Sequence, residues 1–342
     1  MKVISVSWVL VLAIIAVLFV LTAGCTGTGK EKVPLRVYCA GSLIIPFGEA
    51  EKEFEALHPG VDVQLEPHGS IQVIRQITDL HRPGDVVAVA DESLIPDLMY
   101  RRAGVDGTNY TDWYLPFGGN EMVIAFTNKS RYASEITEDN WYEVLSRPGV
   151  KVGLSNPMLD AAGYRALIVA KLAENEYHTS NLFGVLLGDH FDPRLTVRTV
   201  GQVTTIILPE IVKPSDDHVV VRDGSIFLLS LLEAGGIDYA FEYRSVAEGK
   251  KLRWIRLPPS INLGSPEYAK NYRTVNVILG FQRFSSIGTE RVGVPIVYAV
   301  TIPYSAAHPE IAKEFVDYIA VESQKGRPGW PSPVNRTEII RE

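Results

Sequence analysis

The sequence predicts an α/β fold built as two lobes, and three observations lead there. Strand-like and helix-like runs alternate from residue 35 onward, which is the pattern of doubly wound sheets. Residues 33–342 leave about 310 residues for folding, more than one ordinary core accommodates. No internal repeat, coiled coil or long linker divides the chain, so crossing strands should join the lobes. The expected division places residues 33–118 with 296–342 in the first lobe and residues 119–295 in the second. Hydrophobic residues make up 46% and charged residues 21%, a globular balance.

Leu35 to Ala40 reads as a short apolar strand. Ile45 to Leu57 carries apolar residues at helical spacing and stops at His58-Pro59-Gly60. Val61 to Leu65 alternates as a strand, Ile71 to Leu80 is amphipathic, and Asp85 to Ala90 suits a buried parallel strand. A second series opens after Trp113 to Gly119, with strands over Glu121 to Thr127 and Val152 to Leu154 and a short helix at Trp141 to Ser146. A long helix is expected from about Gly163 to Glu174. Beyond a polar, less regular middle, Ile226 to Glu233 is helical, Gly235-Gly236 stops it, and Ile237 to Tyr243 is a strand. Val294 to Ile302 is an apolar run, Pro303 ends it, and Ala307 to Ala320 is an amphipathic helix.

Two short turns, Ala40-Gly41-Ser42-Leu43 and His68-Gly69-Ser70-Ile71, each lie between a strand and a helix. In such lobes ligands sit at the carboxyl ends of strands. A helix start offers free backbone N–H groups, and a serine there adds a hydroxyl, so the pair can grip one anion from two directions. The formal charge of −7 argues against a nucleic-acid partner and gives no bulk attraction for an anion. Anion specificity must come from aimed N–H and O–H groups.

Met1-Lys2 precedes an uncharged apolar run from Val3 to Ala23 that closes on Leu21-Thr22-Ala23-Gly24-Cys25. This is the pattern of a lipoprotein signal over residues 1–25, with Cys25 as the acylated new terminus. An uncleaved membrane anchor is the alternative, because the run is long enough to span a bilayer. Either reading puts the protein on the outer membrane face, with residues 26–32 as a tether. Cys25 and Cys39 are the two cysteines of the sequence, so acylation of Cys25 leaves no internal disulfide.

A more specific resemblance rests on the series Gly41-Ser42-Leu43, Gly69-Ser70-Ile71-Gln72, Asp85 through Pro96, Asn140-Trp141-Tyr142, Ser155-Asn156-Pro157, Asp160 through Arg165 and Asp238 through Ser245. In this order and spacing, from residue 33 to about 320, the chain resembles the tungstate/molybdate-binding proteins of archaeal-type ABC importers. The resemblance implies a type II periplasmic-binding fold closing on one oxyanion, no cofactor, a partner permease and a monomer. It implies that Ser42 and Ser70 donate to the anion from the first lobe, that Tyr243 donates from the second, and that Asp160 coordinates the tungsten or molybdenum centre. A d⁰ centre is a hard Lewis acid that takes extra oxygen ligands, whereas a carboxylate only repels a sulfate dianion.

The family's second coordinating Glu falls, eighteen residues before the tyrosine, on Ser225. Asp223 or Glu242 might replace it, the coordination could be lower, or the specificity could differ; alternation with Tyr243 places Glu242 facing away from the ligand. Arg327 through Pro333 also departs from the family's closing segment.

Rival readings are a receptor for sulfate or phosphate and a serine hydrolase using Ser42 or Ser70 with His68 and Asp91. The hydrolase lacks a Gly-x-Ser-x-Gly elbow and has His68 on the same tight turn as Ser70. The seven histidines are scattered without ligand spacing, so a protein-bound metal is not expected. Arg165 and Arg244 are expected at the surface or behind the anion-facing groups.

Overall fold

The alternating pattern of the first hundred residues becomes a strand–helix series whose carboxyl ends converge. The computed structural model describes residues 32–100, 109–280, 290–335 and 338–341. The leader and Cys25 lie outside the described residues. Strand β1 (Val33–Ala40) runs parallel to β2 (Val61–His68) and to β3 (Val86–Val89). Helix α1 (Ile44–Leu57) joins the first two strands, and α2 (Ser70–Thr78) leads from β2 toward β3. β3 reads Val-Val-Ala-Val and is wholly buried, as a central parallel strand must be.

Two antiparallel strands complete this sheet. These are β4 (Trp113–Asn120) and β14 (Ile296–Thr301), with the short β15 (Ile340–Arg341) at the edge, giving the order β15-β4-β14-β3-β1-β2. The C-terminal helix α10 (Pro309–Ser323) packs on α1 through aromatic edges. Phe315 meets Phe54 at 5.2 Å and Phe47 at 6.0 Å, both T-shaped. Burial of each ring contributes about 1.5–3 kcal/mol, so this contact ties the end of the chain to its beginning.

The chain leaves the first sheet at Asn120 and enters the second at β5 (Met122–Phe126). The second sheet has the order β11-β5-β10-β6-β9, from β6 (Val152–Ser155), β9 (Val219–Arg222), β10 (Tyr239–Tyr243) and β11 (Arg253–Arg256). Helix α5 (Ala161–Glu176) covers one face, and α7 (Ile226–Ala234) covers the other with Leu228 and Leu232 against Val123, Ala125 and Ala240. The rest of the chain is a four-stranded sheet that the sequence reading had left as an irregular middle, in the order β13-β12-β8-β7, with β7 (Thr196–Val200), β8 (Val203–Ile207), β12 (Val275–Ile278) and β13 (Glu290–Val292). It was hard to read because every residue of β7 is exposed, so no apolar alternation marks it.

The unusual closing segment packs where the lobes join. Ser332 and Gly119 exchange backbone hydrogen bonds at 2.7 Å in both directions, and Trp330 donates to Glu49 at 2.8 Å. A Cβ on Gly118 would stand 2.5 Å from Pro331, so this crossing strand needs glycine for the segment to lie against it. Among the described residues, no helix is long and apolar enough to cross a membrane.

Candidate functional site

The two serine turns meet the second lobe at one place. Ser42 lies in a single 3₁₀ turn, Gly41–Leu43, that follows β1, and Ser70 is the first residue of α2 after β2. Neither hydroxyl caps its helix. The Gln72 amide oxygen accepts from the backbone N–H of Gly69 at 3.3 Å, which leaves the serines for other work.

Each hydroxyl oxygen is already used as an acceptor. The backbone N–H of Ala90 donates to Ser70 Oγ at 3.0 Å. The Tyr298 hydroxyl donates to Ser42 Oγ at 2.9 Å and accepts from Asn120 Nδ2 at 3.3 Å. In the second lobe Arg165 Nη1 donates to the Tyr243 hydroxyl at 2.8 Å. All three hydroxyls are buried, and none has an acceptor for its proton among the described residues. A hydroxyl carries one donor and two acceptor lone pairs, so filling the acceptor side aims the proton elsewhere. Three protons on two lobes, with no assigned acceptor, are what an anion's oxygens require. Burial, followed by opposing help from Arg165, pushes the Tyr243 phenol far above its usual pKa, so it stays protonated and remains a donor.

Asp160 is the N-cap of α5. Its Oδ1 accepts from Ala162 N at 3.5 Å and its Oδ2 from Ser225 N at 2.9 Å, and the amide of Ser70 in the first lobe also faces it. Burial raises this carboxyl above the usual range, and the backbone N–H groups of Ser225 and Ala162 oppose the shift. Asp160 therefore sits between the two helix starts, beside Ser70 and Ser225. Asp223 is exposed.

Glu242 differs from the expectation. It does lie on the face of β10 opposite Tyr243, yet that face is covered by the start of α7, and the carboxyl ends beside Ser225 and Asp160. Its Oε1 accepts from Tyr243 N at 2.8 Å, while Oε2 has no hydrogen-bond partner among the described residues. Burial, reinforced by the charge of Asp160 against the hydrogen bond from Tyr243, pushes Glu242 up to about 8. Alternation describes a strand's middle. It says little at a strand's end, where a following helix start folds over both faces.

The lobes are locked across the cleft. Ile71 N and Gln72 N donate to the Leu159 carbonyl at 3.1 and 3.3 Å. A Cβ on Gly69 would come within 2.4 Å of that carbonyl, so only glycine permits this approach. Arg165 Nη1 also donates to the Ala90 carbonyl at 2.6 Å, and its Nη2 lies 3.4 Å from Asp91. Tyr164 donates to Asp91 at 2.5 Å. Burial would raise Asp91, but Arg165, Arg291 and the hydrogen bonds from Tyr164 and Ser93 hold it below the usual carboxylate range. Asp91 is thus fully committed and is not free to serve a His68 base. Arg165 stands behind the anion-facing tyrosine, and Arg244 pairs with Glu121 at 3.1 Å near the lobe crossing.

Sequence reasoning did not single out Tyr298 and Asn120 as site residues. Tyr298 lay inside a run quoted for its likeness, and its alternation in β14 places it with the buried residues. Nothing in the local pattern marks it as the residue that orients Ser42.

Two lobes joined by crossing strands, with aimed donors from both at the cleft, define an extracellular solute receptor. The chain belongs to the bacterial extracellular solute-binding protein family, which it matches over residues 35–328. It is 43% identical over 322 residues to an uncharacterized solute-binding protein of Methanoculleus marisnigri, covering 90% of this chain and 86% of the relative. It is 38% identical over 328 residues to the molybdate/tungstate-binding protein WtpA of Pyrococcus abyssi, covering 92% and 89%. The periplasmic molybdate-binding protein of Azotobacter vinelandii shares the fold with a TM-score of 0.53, at 16% identity, over 84% of this chain and 95% of that one. The family is one of transport receptors.

Proposed function

We propose that this protein captures tungstate or molybdate outside the cell and hands it to the permease of an ABC importer. The observation that carries the reading is the set of three buried hydroxyls, on Ser42, Ser70 and Tyr243, whose oxygens already accept hydrogen bonds. Burying a dianion without partners would cost tens of kcal/mol, so several aimed donors are required. The likeness to a molybdate/tungstate-binding relative supports a metal oxyanion. Asp160 supports it as well, because a carboxylate at this place gains only from an anion whose centre can bond it. The protein acts as a monomer, binds without turnover, uses no cofactor, and is held at the membrane by a lipid on Cys25.

A second reading, a sulfate or phosphate receptor, is favoured by Ser225, which supplies no carboxylate to a metal centre. Isothermal titration of the purified full-length protein separates the two. Tungstate and molybdate are expected to bind at least tenfold more tightly than sulfate or phosphate. A preference for sulfate or phosphate selects the second reading, and binding of none of the four rejects both. The anchor is tested by Cys25→Ser, which is expected to abolish lipid labelling.

A further inference from the structure

The buried carboxyl of Glu242 has one oxygen paired and one unpaired. Oε1 is held by the Tyr243 backbone N–H at 2.8 Å, which fixes the group's orientation. Oε2 has no hydrogen-bond partner among the described residues, on a residue that is 0% exposed. Leaving such an atom unpaired costs roughly 1–3 kcal/mol, so its retention calls for a partner that arrives. Its polar neighbours are the Ser225 hydroxyl and Asp160. Asp160 in turn takes the Ser225 amide at 2.9 Å and faces the Ser70 amide of the other lobe, so Glu242 lies just behind the point where the two helix starts meet. Ser225 is small and buried, and it puts no long side chain between them.

From this placement, we propose that Glu242 Oε2 bonds the tungsten or molybdenum centre of the captured oxyanion, as a second carboxylate beside Asp160, in the position that Ser225 cannot fill. This rests on the proposed metal-oxyanion reading and sharpens it. No bond of the anion breaks. The metal keeps its four oxo groups and adds a carboxylate oxygen lone pair, and any proton carried by the acid leaves to water. Two carboxylates facing one anion repel sulfate and phosphate and reward only a centre able to expand its coordination, so Glu242 sets selectivity rather than general anion affinity.

The test is titration of wild-type and Glu242→Gln proteins with tungstate and with sulfate, joined to a crystal structure of the wild-type tungstate complex. Gln keeps the shape and removes the anionic oxygen. We expect tungstate affinity to fall at least tenfold while sulfate affinity holds or rises. A wild-type complex with Glu242 Oε2 at bonding distance from tungsten gives the same answer should the variant fail to fold. Equal changes for both anions, no change for either, or a tungsten centre beyond bonding distance of Glu242 overturns the proposal. If the wild-type protein binds sulfate or phosphate in preference to tungstate, it is the underlying reading that has failed, and this one falls with it.

Discussion

Arg165 donates to the hydroxyl of Tyr243 at 2.8 Å, and the same guanidinium nitrogen donates to the Ala90 carbonyl of the opposite lobe at 2.6 Å. One side chain therefore sets the direction of a ligand-facing proton and closes the cleft. Ala90 is itself the residue whose N–H fills the acceptor side of Ser70 Oγ. Arg165, Ala90 and Ser70 thus form a line from the second lobe to a donor of the first, with Tyr243 beside it.

Replacing Arg165 by Met removes both tasks and strips Asp91 of its nearest cation. Breaking a buried pair on one side costs about 3–5 kcal/mol, because the remaining charge stays buried. Denaturant unfolding of Arg165→Met is expected to show a loss in this range, together with weaker oxyanion binding by titration. Full stability in the variant would show that Tyr164 and Arg291 suffice to hold Asp91.

Ser42→Ala with Ser70→Ala removes two donors to the anion while leaving the lobe contacts of Leu159 and Arg165 intact. Two hydrogen bonds to charge, with the alignment they give the rest, amount to roughly 2–5 kcal/mol of binding. Titration with tungstate should register this loss without a comparable drop in melting temperature. Unchanged affinity in the double variant removes the site.

Most of this arrangement was legible before any coordinates, and the reasons are local. Ser42 and Ser70 follow strands and precede helices, so chain direction alone puts them at the carboxyl ends of β1 and β2. Asp160 precedes the long apolar helix α5 and reads as its cap. Tyr298, Asn120 and Glu242 were missed or misplaced because their roles depend on contacts between segments far apart in the chain. Tyr298 and Ser42 are 256 positions apart. The sheet of β7, β8, β12 and β13 escaped because its edge strand β7 is exposed throughout and offers no hydrophobic period to read.

Gly69 isolates closure from chemistry. A methyl group here meets the Leu159 carbonyl at 2.4 Å and Asp160 Cβ at 2.9 Å, both across the cleft. Gly69→Ala should leave each lobe folded but hold them apart, because the clash is with the other lobe. Small-angle scattering with saturating tungstate is expected to show a larger radius for the variant than for the wild type, and affinity should fall by tenfold or more. Identical scattering curves would mean that α2 shifts to absorb the methyl group.

Cys39 lies in the middle of the first sheet, 0% exposed, and burial pushes its thiol up to about 12. Thiolate is the reactive form, so native protein should resist a thiol reagent at pH 8 and react only after unfolding. In a Cys25→Ser background the reaction then counts opening of the first lobe, and saturating ligand is expected to slow it. Rapid labelling of the native form would place Cys39 at an accessible surface.

The pH dependence of stability should carry the signature of Glu242. Its carboxyl is pushed by burial from 4.5 to about 8, so the folded state holds a proton that the unfolded chain has already released. Below about pH 4.5 both states are protonated and the group contributes nothing to the pH slope. Between that point and pH 8 the unfolded state gains by ionising while the folded state cannot, so stability falls as pH rises and levels off once the folded group also ionises. A shift of this size corresponds to something on the order of 5 kcal/mol if fully expressed. Glu242→Gln has no proton to lose, so its stability advantage over wild type should grow between pH 5 and pH 8 in ligand-free protein, measured by denaturant unfolding at each pH. Parallel curves for the two proteins would show that Glu242 ionises in the folded state as readily as in the unfolded one, and that water or a cation reaches Oε2.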